Sequence, residues 1–414
     1  MKKKVNTFFI NTFMLYILTF SNYFFSFITV PYQTRVFGAE IYGNLGFATA
    51  TMIYFQLILD FGFLLSATEE VARNRTNKKE LSKIVEKVWI CKTGLVVASL
   101  VGLFCLCTMV GRFRNDWLLF LLYFISIAIN SYMPDFLYRG LEEMKAITVR
   151  TVLIKLFFTV MIFIFLKNKT QYYLVPIFNI MGNTVALLGV LWHLKKVVGL
   201  DFVKVSVEEV VKAFKESSIF FYSRIASTVY STTNMFVLGI MYGQSSKTVG
   251  YFSSADKLIS TGKQGITPIT DSLYPYMVRN RDFKLVKKLL IIGMPILTIG
   301  CLIVGGLAEP ICVFLFGQEF EPAGVYLRLL AITVWCAFPG MIFGFPVLSP
   351  MGLAKWANIS NIFGAVVQIT MLVGLYCVGS LNSITICLAT GLTEILTVCF
   401  RIIVVWKNRE KMKE

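Results

Sequence analysis

Histidine is almost missing from this chain: His193 is the single one among 414 residues. Zinc centres and proton-relay triads built on imidazole are therefore excluded within one chain. No Gly-x-x-x-x-Gly-Lys-Ser/Thr run occurs, so no P-loop hydrolyses ATP, and energy must come from an ion gradient or the substrate's own gradient. The nine cysteines have no metal-ligand spacing beyond a weak Cys105-x-Cys107 pair and read as small buried hydrophobes, so no metal or other cofactor is expected. Charged residues are only 15% of the chain. A cleavage site of small residues is also lacking after Lys2, Lys3, Lys4 and the first apolar run, which is longer than a signal-peptide core and so stays as a membrane span.

What the chain does have is apolar length. With 56% hydrophobic residues and a mean hydropathy of +0.70, it reads as an all-α integral membrane protein. At the roughly 20 residues needed to cross the hydrocarbon core, the sequence predicts about twelve spans: 8–31, 44–66, 85–110, 117–138, 147–166, 172–194, 218–241, 249–274, 287–308, 324–348, 355–378 and 382–406. Between odd and following even spans the basic residues are few, namely Arg35, Arg112, Arg114, Lys167, Lys169 and Lys247. The other side is about four times richer, from Lys2–Lys4 through Arg73, Arg139, Lys195, Lys212 and Arg279 to Lys413. By the positive-inside rule both termini are cytoplasmic. Most of the +17 net charge is thus topology, and a nucleic-acid partner is excluded.

The longest polar connection, 201–216, has an amphipathic pattern of Val207, Val210, Val211 and Phe214 against Glu208, Glu209, Lys212 and Lys215. It divides the chain into an N-terminal six-helix lobe, 1–200, and a C-terminal one, 217–414. Weak internal similarity agrees: Phe37-Gly38 followed by Tyr42-Gly43 resembles Tyr242-Gly243 followed by Val249-Gly250. Same-direction halves imply parallel repeats with a site between them near the midplane. Pro339, Gly340, Gly344, Pro346 and Pro350 predict a broken tenth span.

Polar residues inside spans are expensive and should cluster for a reason. Asn11, Asn22, Thr29 and Gln33 stack along the first span; Thr49, Gln56 and Asp60 along the second; Arg224, Ser227, Thr228 and Ser231 along the seventh. The eighth is the most polar, with Asp256, Ser260, Lys263 and Thr267 on one line and Lys257, Gln264 and Asp271 nearby. Placing these four helices around a central cavity keeps every stripe away from lipid. Arg35, Lys257, Lys263 and Arg224 then form a column of cations suited to a multiply charged anion such as a pyrophosphate, which Arg binds bidentately and Lys as a point charge. The alternative is buried structural pairs, for example Asp256 with Arg224 or Asp60 with Lys263. Glu394 and Arg401, two turns apart, read as a packing pair or a coupling site, and Lys87, Lys92 and Lys155 as side chains reaching for the cytoplasmic interface.

At Pro31-Tyr32-Gln33-Thr34-Arg35-Val36-Phe37-Gly38 with Tyr42-Gly43, the sequence resembles the bacterial oligosaccharide-repeat-unit flippases. These are the O-antigen and capsule transporters of the multidrug/oligosaccharidyl-lipid/polysaccharide exporter superfamily. Asp60-Phe61-Gly62-Phe63, Pro134-Asp135-Phe136-Leu137-Tyr138-Arg139-Gly140 and Glu309-Pro310-Ile311 through Leu315-Phe316-Gly317 also resemble that family's segments. The resemblance implies a two-lobe transporter, not an enzyme, in the bacterial inner membrane. It would open alternately to each side and carry an undecaprenyl-pyrophosphate-linked oligosaccharide for O-antigen or capsule biosynthesis. Arg35, Arg224, Lys257, Lys263, Asn22 and Gln56 are the expected substrate contacts, and Asp60, Asp256 and Asp271 the expected proton or sodium coupling groups. Membrane lipids and other polysaccharide-assembly membrane proteins are the expected neighbours. A multidrug or metabolite antiporter of the same superfamily is the alternative, though such an exporter prefers an acidic cavity.

Overall fold

The computed structural model describes residues 2–201, 203–243 and 246–412, all in helices and their connections, with no strand among them. The chain divides into two compact units, Met1–Phe37 with Phe47–Thr228, and Gly38–Gly46 with Val229–Glu414. In the first unit run α1 (Lys2–Asp60), α2 (Phe63–Arg73), α3 (Lys78–Met109), α4 (Gly111–Asn115), α5 (Trp117–Ser131), α6 (Asp135–Gly140), α7 (Met144–Phe165), α8 (Leu174–His193) and the start of α9 (Val207–Tyr242). In the second are the rest of α9, α10 (Lys247–Asn280), α11 (Phe283–Gly306), α12 (Ala308–Phe316), α13 (Ala323–Phe343), α14 (Phe345–Leu348), α15 (Ala354–Cys377) and α16 (Ser383–Lys407). The boundary runs inside α9, and the short stretch Gly38–Gly46 of α1 groups with the second unit.

Nine helices among the described residues are long and apolar enough to cross a membrane, against the twelve expected. The difference has two causes. The first two expected spans are two helices that meet at a kink at Gly38 (φ 74°, ψ 175°) with no loop between them, so they count as one continuous stretch, and the first of them stays helical through Pro31. The seventh and eighth are helices, α9 and α10, but too polar to count on apolarity. The amphipathic stretch from Val207 to Glu216 forms the first turns of α9 and not a separate surface helix. The tenth span is broken as its composition predicts, with Pro339 inside α13 and Gly344 (ψ −129°) separating it from α14.

Local signals set the helix starts. Asn77 accepts from Glu80 N at 3.3 Å before α3, Asp282 from Leu285 N at 3.1 Å before α11, and Asn382 from Thr385 N at 2.9 Å before α16. Before α9, Ser206 and Glu209 form a reciprocal box, with Ser206 N donating to Glu209 Oε2 at 2.9 Å and Glu209 N to Ser206 Oγ at 3.3 Å.

Each unit gathers an apolar core at matching ends of its helices. In the first unit Phe63, Val71, Ile84, Leu137, Tyr138 and Val190 are buried together, and in the second Met277, Val286, Phe338, Ile342, Val347 and Leu348. The repeat extends to a turn the sequence does not advertise. After α6, Glu142 takes a left-handed φ of 63° and Glu143 N donates to Tyr138 O at 2.8 Å. After α14, Gly352 takes a φ of 73° and Leu353 N donates to Leu348 O, again at 2.8 Å. Both are the six-to-one closure that ends a helix in a left-handed residue.

Candidate functional site

The polar clusters are built separately in the two units. In the first, α1 ends at Asp60 because Phe61 (φ 38°) and Gly62 (φ 81°) turn left-handed. A side chain at Gly62 would come within 2.6 Å of Ser217 O and 2.7 Å of Phe220 Cβ, so only glycine lets α9 approach this break. The Phe61 ring lies between Phe214 and Phe221, with centroids 4.1 and 4.6 Å away, and Ser66 Oγ meets Ser217 Oγ at 2.7 Å. Phe214, Ser217, Phe221 and Arg224 share one face of α9. That register brings Arg224 Nη1 to 3.5 Å from Asp60 Oδ2.

Lys92, expected to reach for the interface, is instead buried and donates to the Ser131 carbonyl, within electrostatic range of Asp60 and Asp135. Asp135 in turn accepts from Arg150 Nη2 at 2.7 Å. Sequence reasoning missed this chain of charges, because Lys92, Asp135 and Arg150 lie on three different helices and periodicity along one helix does not connect them. Lys87 pairs with Glu70 at 2.5 Å.

The other expected contacts of this unit are spread along α1. Asn22 and Gln56 are half-buried, and Arg35 is exposed. Asn11 is occupied elsewhere: its Nδ2 donates to Glu142 O at 2.7 Å and its Oδ1 accepts from Met144 N at 3.3 Å, capping α7. Thr29 satisfies its hydroxyl on Phe25 O at 2.8 Å within its own helix. The side chains of Ser227 and Ser231 lie outside the described residues.

In the second unit Lys263 Nζ reaches Glu394 Oε1 at 2.6 Å, from α10 to α16. Asp256 is half-buried and feels Lys263 and Lys257, while Lys257 and Asp271 are exposed on α10. Beside Glu394 on α16 runs a buried network of neutral groups. Asn234 Nδ2 donates to Thr390 Oγ1 at 2.8 Å, Gln368 Nε2 to Asn234 Oδ1 at 2.7 Å, and Thr393 Oγ1 to Gln368 Oε1 at 2.7 Å. Arg401 does not pair with Glu394. It donates from Nε to Ser360 Oγ at 2.8 Å, from Nη1 to Gly340 O at 2.5 Å and from Nη2 to Asn361 Oδ1 at 2.6 Å, binding the broken α13 to α15 and α16.

The ion pairs that form are therefore Arg224 with Asp60 and Lys263 with Glu394, not the combinations weighed from sequence. Among the described residues no group of three or more His, Cys, Asp or Glu side chains could hold a metal.

Solved structures share this fold. A multidrug resistance MATE family transporter of the MOP superfamily, in an inward-facing conformation, matches with a TM-score of 0.72 at 15% identity, over 93% of this chain and 96% of that one. The lipid II flippase MurJ, in an inward closed conformation, matches with a TM-score of 0.67 at 11% identity, over 96% and 87%. The chain is a multi-pass membrane protein with this transporter fold.

Its sequence narrows the class. The family model described as "Polysaccharide biosynthesis protein" matches residues 8–281, and the chain belongs to that family. Curated relatives named "Putative O-antigen transporter" are 25% identical, one from Escherichia coli (strain K12) over 87% of this chain and 83% of its own length, the other from Shigella dysenteriae over 87% and 90%. The family resemblance read from the motif blocks is borne out.

Proposed function

We propose that the protein moves an undecaprenyl-pyrophosphate-linked oligosaccharide repeat unit across the bacterial cytoplasmic membrane for O-antigen or capsule biosynthesis, by alternating access. Membership of the polysaccharide-biosynthesis family and the names of its relatives support lipid-linked oligosaccharide as the cargo. The fold alone does not choose between sugar and drug, since drug exporters and a lipid flippase share it.

The observation that carries the chemistry is that each unit holds a cation against one carboxylate across a pair of long helices, Arg224 on Asp60 and Lys263 on Glu394. A carboxylate has the charge and oxygen spacing of half a pyrophosphate. In this reading the pyrophosphate takes over Arg224 bidentately and Lys263 as a point charge, with Lys257 and Arg35 along its route. Asn22 and Gln56 contact sugar. The carboxylates released by this exchange cannot stay unpaired in a poorly solvated span, so they take up a proton or sodium ion. Asp60 and Glu394 are the groups exchanged, and Asp256 and Asp271 the other coupling candidates.

The test is complementation of a strain lacking the protein. Neutralising Arg224, Lys257 and Lys263 together, with Glu394→Gln added so that its carboxylate is not stranded, should abolish surface polysaccharide in protein shown by immunoblot to be inserted. Normal polysaccharide from that variant would end the cationic-site reading. Resistance to cationic dyes on overexpression, with polysaccharide unaffected by deletion, would support the drug-antiporter alternative instead.

A further inference from the structure

A cavity of about 1100 Å³ opens along the first unit between α7 and α8, and none of the expected substrate contacts or coupling groups lines it. Its walls are apolar. Val149, Leu153 and Phe157 recur at i, i+4 and i+8 on α7, and Val185 and Trp192 a heptad apart on α8. Leu153, Val185 and Trp192 are 58%, 69% and 63% exposed, so this face is covered by no other part of the described chain. Gly189 makes the groove, since a side chain there would meet nothing within 4 Å. Gly182 marks its far end, where an added Cβ would touch Ile154 Cγ2 at 3.2 Å.

Length identifies what fits. From Lys145 to Phe157 the groove follows twelve residues of helix, about 18 Å at 1.5 Å per residue. One leaflet is about half of the 30 Å hydrocarbon core. The groove therefore matches one acyl chain of a bilayer lipid, whereas an undecaprenyl chain is far longer.

The open end carries both signs of charge. Lys145 and Glu143 are exposed there, with Arg150 and His193 beside them. Arg150 Nη2 is held by Asp135, but its Nε and Nη1 are buried with no hydrogen-bond partner among the described residues. Such an orphaned guanidinium edge is costly and calls for an anion. Arg150 itself is part of the groove's lining. Glu142, the second carboxylate at this end, is paired with Arg75 at 2.7 Å. A cationic edge beside an exposed carboxylate complements a headgroup that carries a phosphate and a primary ammonium together.

We propose that the groove between α7 and α8 seats a phosphatidylethanolamine molecule, with one acyl chain along Gly189, the phosphate at Lys145 and Arg150, and the ammonium at Glu143. This site is independent of the transport reading.

Native mass spectrometry of the full chain tests it, with phosphatidylethanolamine, phosphatidylglycerol and phosphatidylcholine of identical acyl chains and with undecaprenyl phosphate. We expect phosphatidylethanolamine to be retained about tenfold more than the other two phospholipids. Gly189→Leu, which fills the groove, should remove this adduct, and so should Leu153→Trp from the opposite wall if the glycine variant fails to fold. Glu143→Gln should leave lipid bound but erase the preference over phosphatidylglycerol. Equal retention of the three headgroups, an unchanged adduct in both filled variants, or displacement by equimolar undecaprenyl phosphate would each overturn the proposal.

Discussion

The two ion pairs differ in a way that separates holding from binding. Lys263 and Glu394 meet at 2.6 Å with side chains 24% and 13% exposed, while Arg224 and Asp60 are 3.5 Å apart and 37% and 25% exposed. The lysine pair is tight, dry and flanked by the Asn234–Gln368–Thr393 network, so removing one partner strands a charge. The arginine pair is longer and wetter, and its geometry depends less on the charges than on the Phe61–Gly62 break that seats α9. One unit thus keeps its cation by electrostatics, the other by packing.

Breaking each pair at its own support sharpens that contrast. Lys263→Gln should have the largest effect on stability, on the order of 3 kcal/mol for an uncompensated buried carboxylate. It should lower the unfolding midpoint in detergent, and the Lys263→Gln/Glu394→Gln double variant should regain most of the loss without regaining surface polysaccharide. Full recovery of polysaccharide in the double variant would make the pair purely structural.

Gly62→Ala should come next, at roughly 1–2 kcal/mol or more, because the backbone is left-handed and the new methyl meets Ser217 O. Thermal unfolding checks it, and an unchanged midpoint would mean that packing does not seat the first pair. Arg224→Gln should cost less than about 1 kcal/mol in stability, given its exposure and long contact. It should nevertheless depress surface polysaccharide, a split between folding and function that Lys263→Gln alone cannot display.

The smallest effect concerns the start of α9. Hydrogen bonds from Ser206 N and Oγ hold the Glu209 carboxyl below its ordinary value of 4.5. A depressed folded value means that its contribution is complete above about pH 4.5 and is lost as the pH falls through the lowered value. Amide exchange in the first turn of α9 should therefore rise on acidification, after correction for intrinsic rates, while exchange around Arg224 stays unchanged. A Ser206→Ala variant loses the hydroxyl but keeps the backbone N–H that donates to Glu209, so it should weaken this pH dependence and not abolish it.

Much of the fold was readable because apolar length and charge asymmetry are properties of composition along the chain. The helix boundaries of α3, α11 and α16 follow their capping residues, and the broken α13 follows its prolines. The two first spans were readable, but not that they meet at Gly38 with no loop between them, since Pro31 with Gly38 signals a longer turn as well as a kink. Arg224, Lys257 and Lys263 were found as intramembrane charges, but their partners were not. Asp60 joins Arg224 through the left-handed Phe61–Gly62 pair, whose conformation at Phe61 no local signal announces. Glu394 was read beside Arg401 as a packing pair or a coupling site, because periodicity sees neighbours along a helix and not across to Lys263 on α10. Asn11 was placed in a polar stripe for the same reason, though its amide caps α7.

The glycines of the repeated motif carry a consequence in time. A side chain at Gly43 would lie 2.6 Å from Gly250 N, and one at Gly250 would run into the Ala39 carbonyl, so these two backbones touch within the second unit. Yet the Gly38–Gly46 stretch leaves the ribosome some two hundred residues before Gly250, an interval of about 10–40 s at 5–20 residues per second. During synthesis this bare backbone seam must wait in the membrane without its mate, in a chain whose first unit is otherwise complete. A chaperone or insertase that shields a glycine-lined helix bend would act in that interval, and substitutions at Gly43 should reduce yield from the translocon before they alter the mature protein.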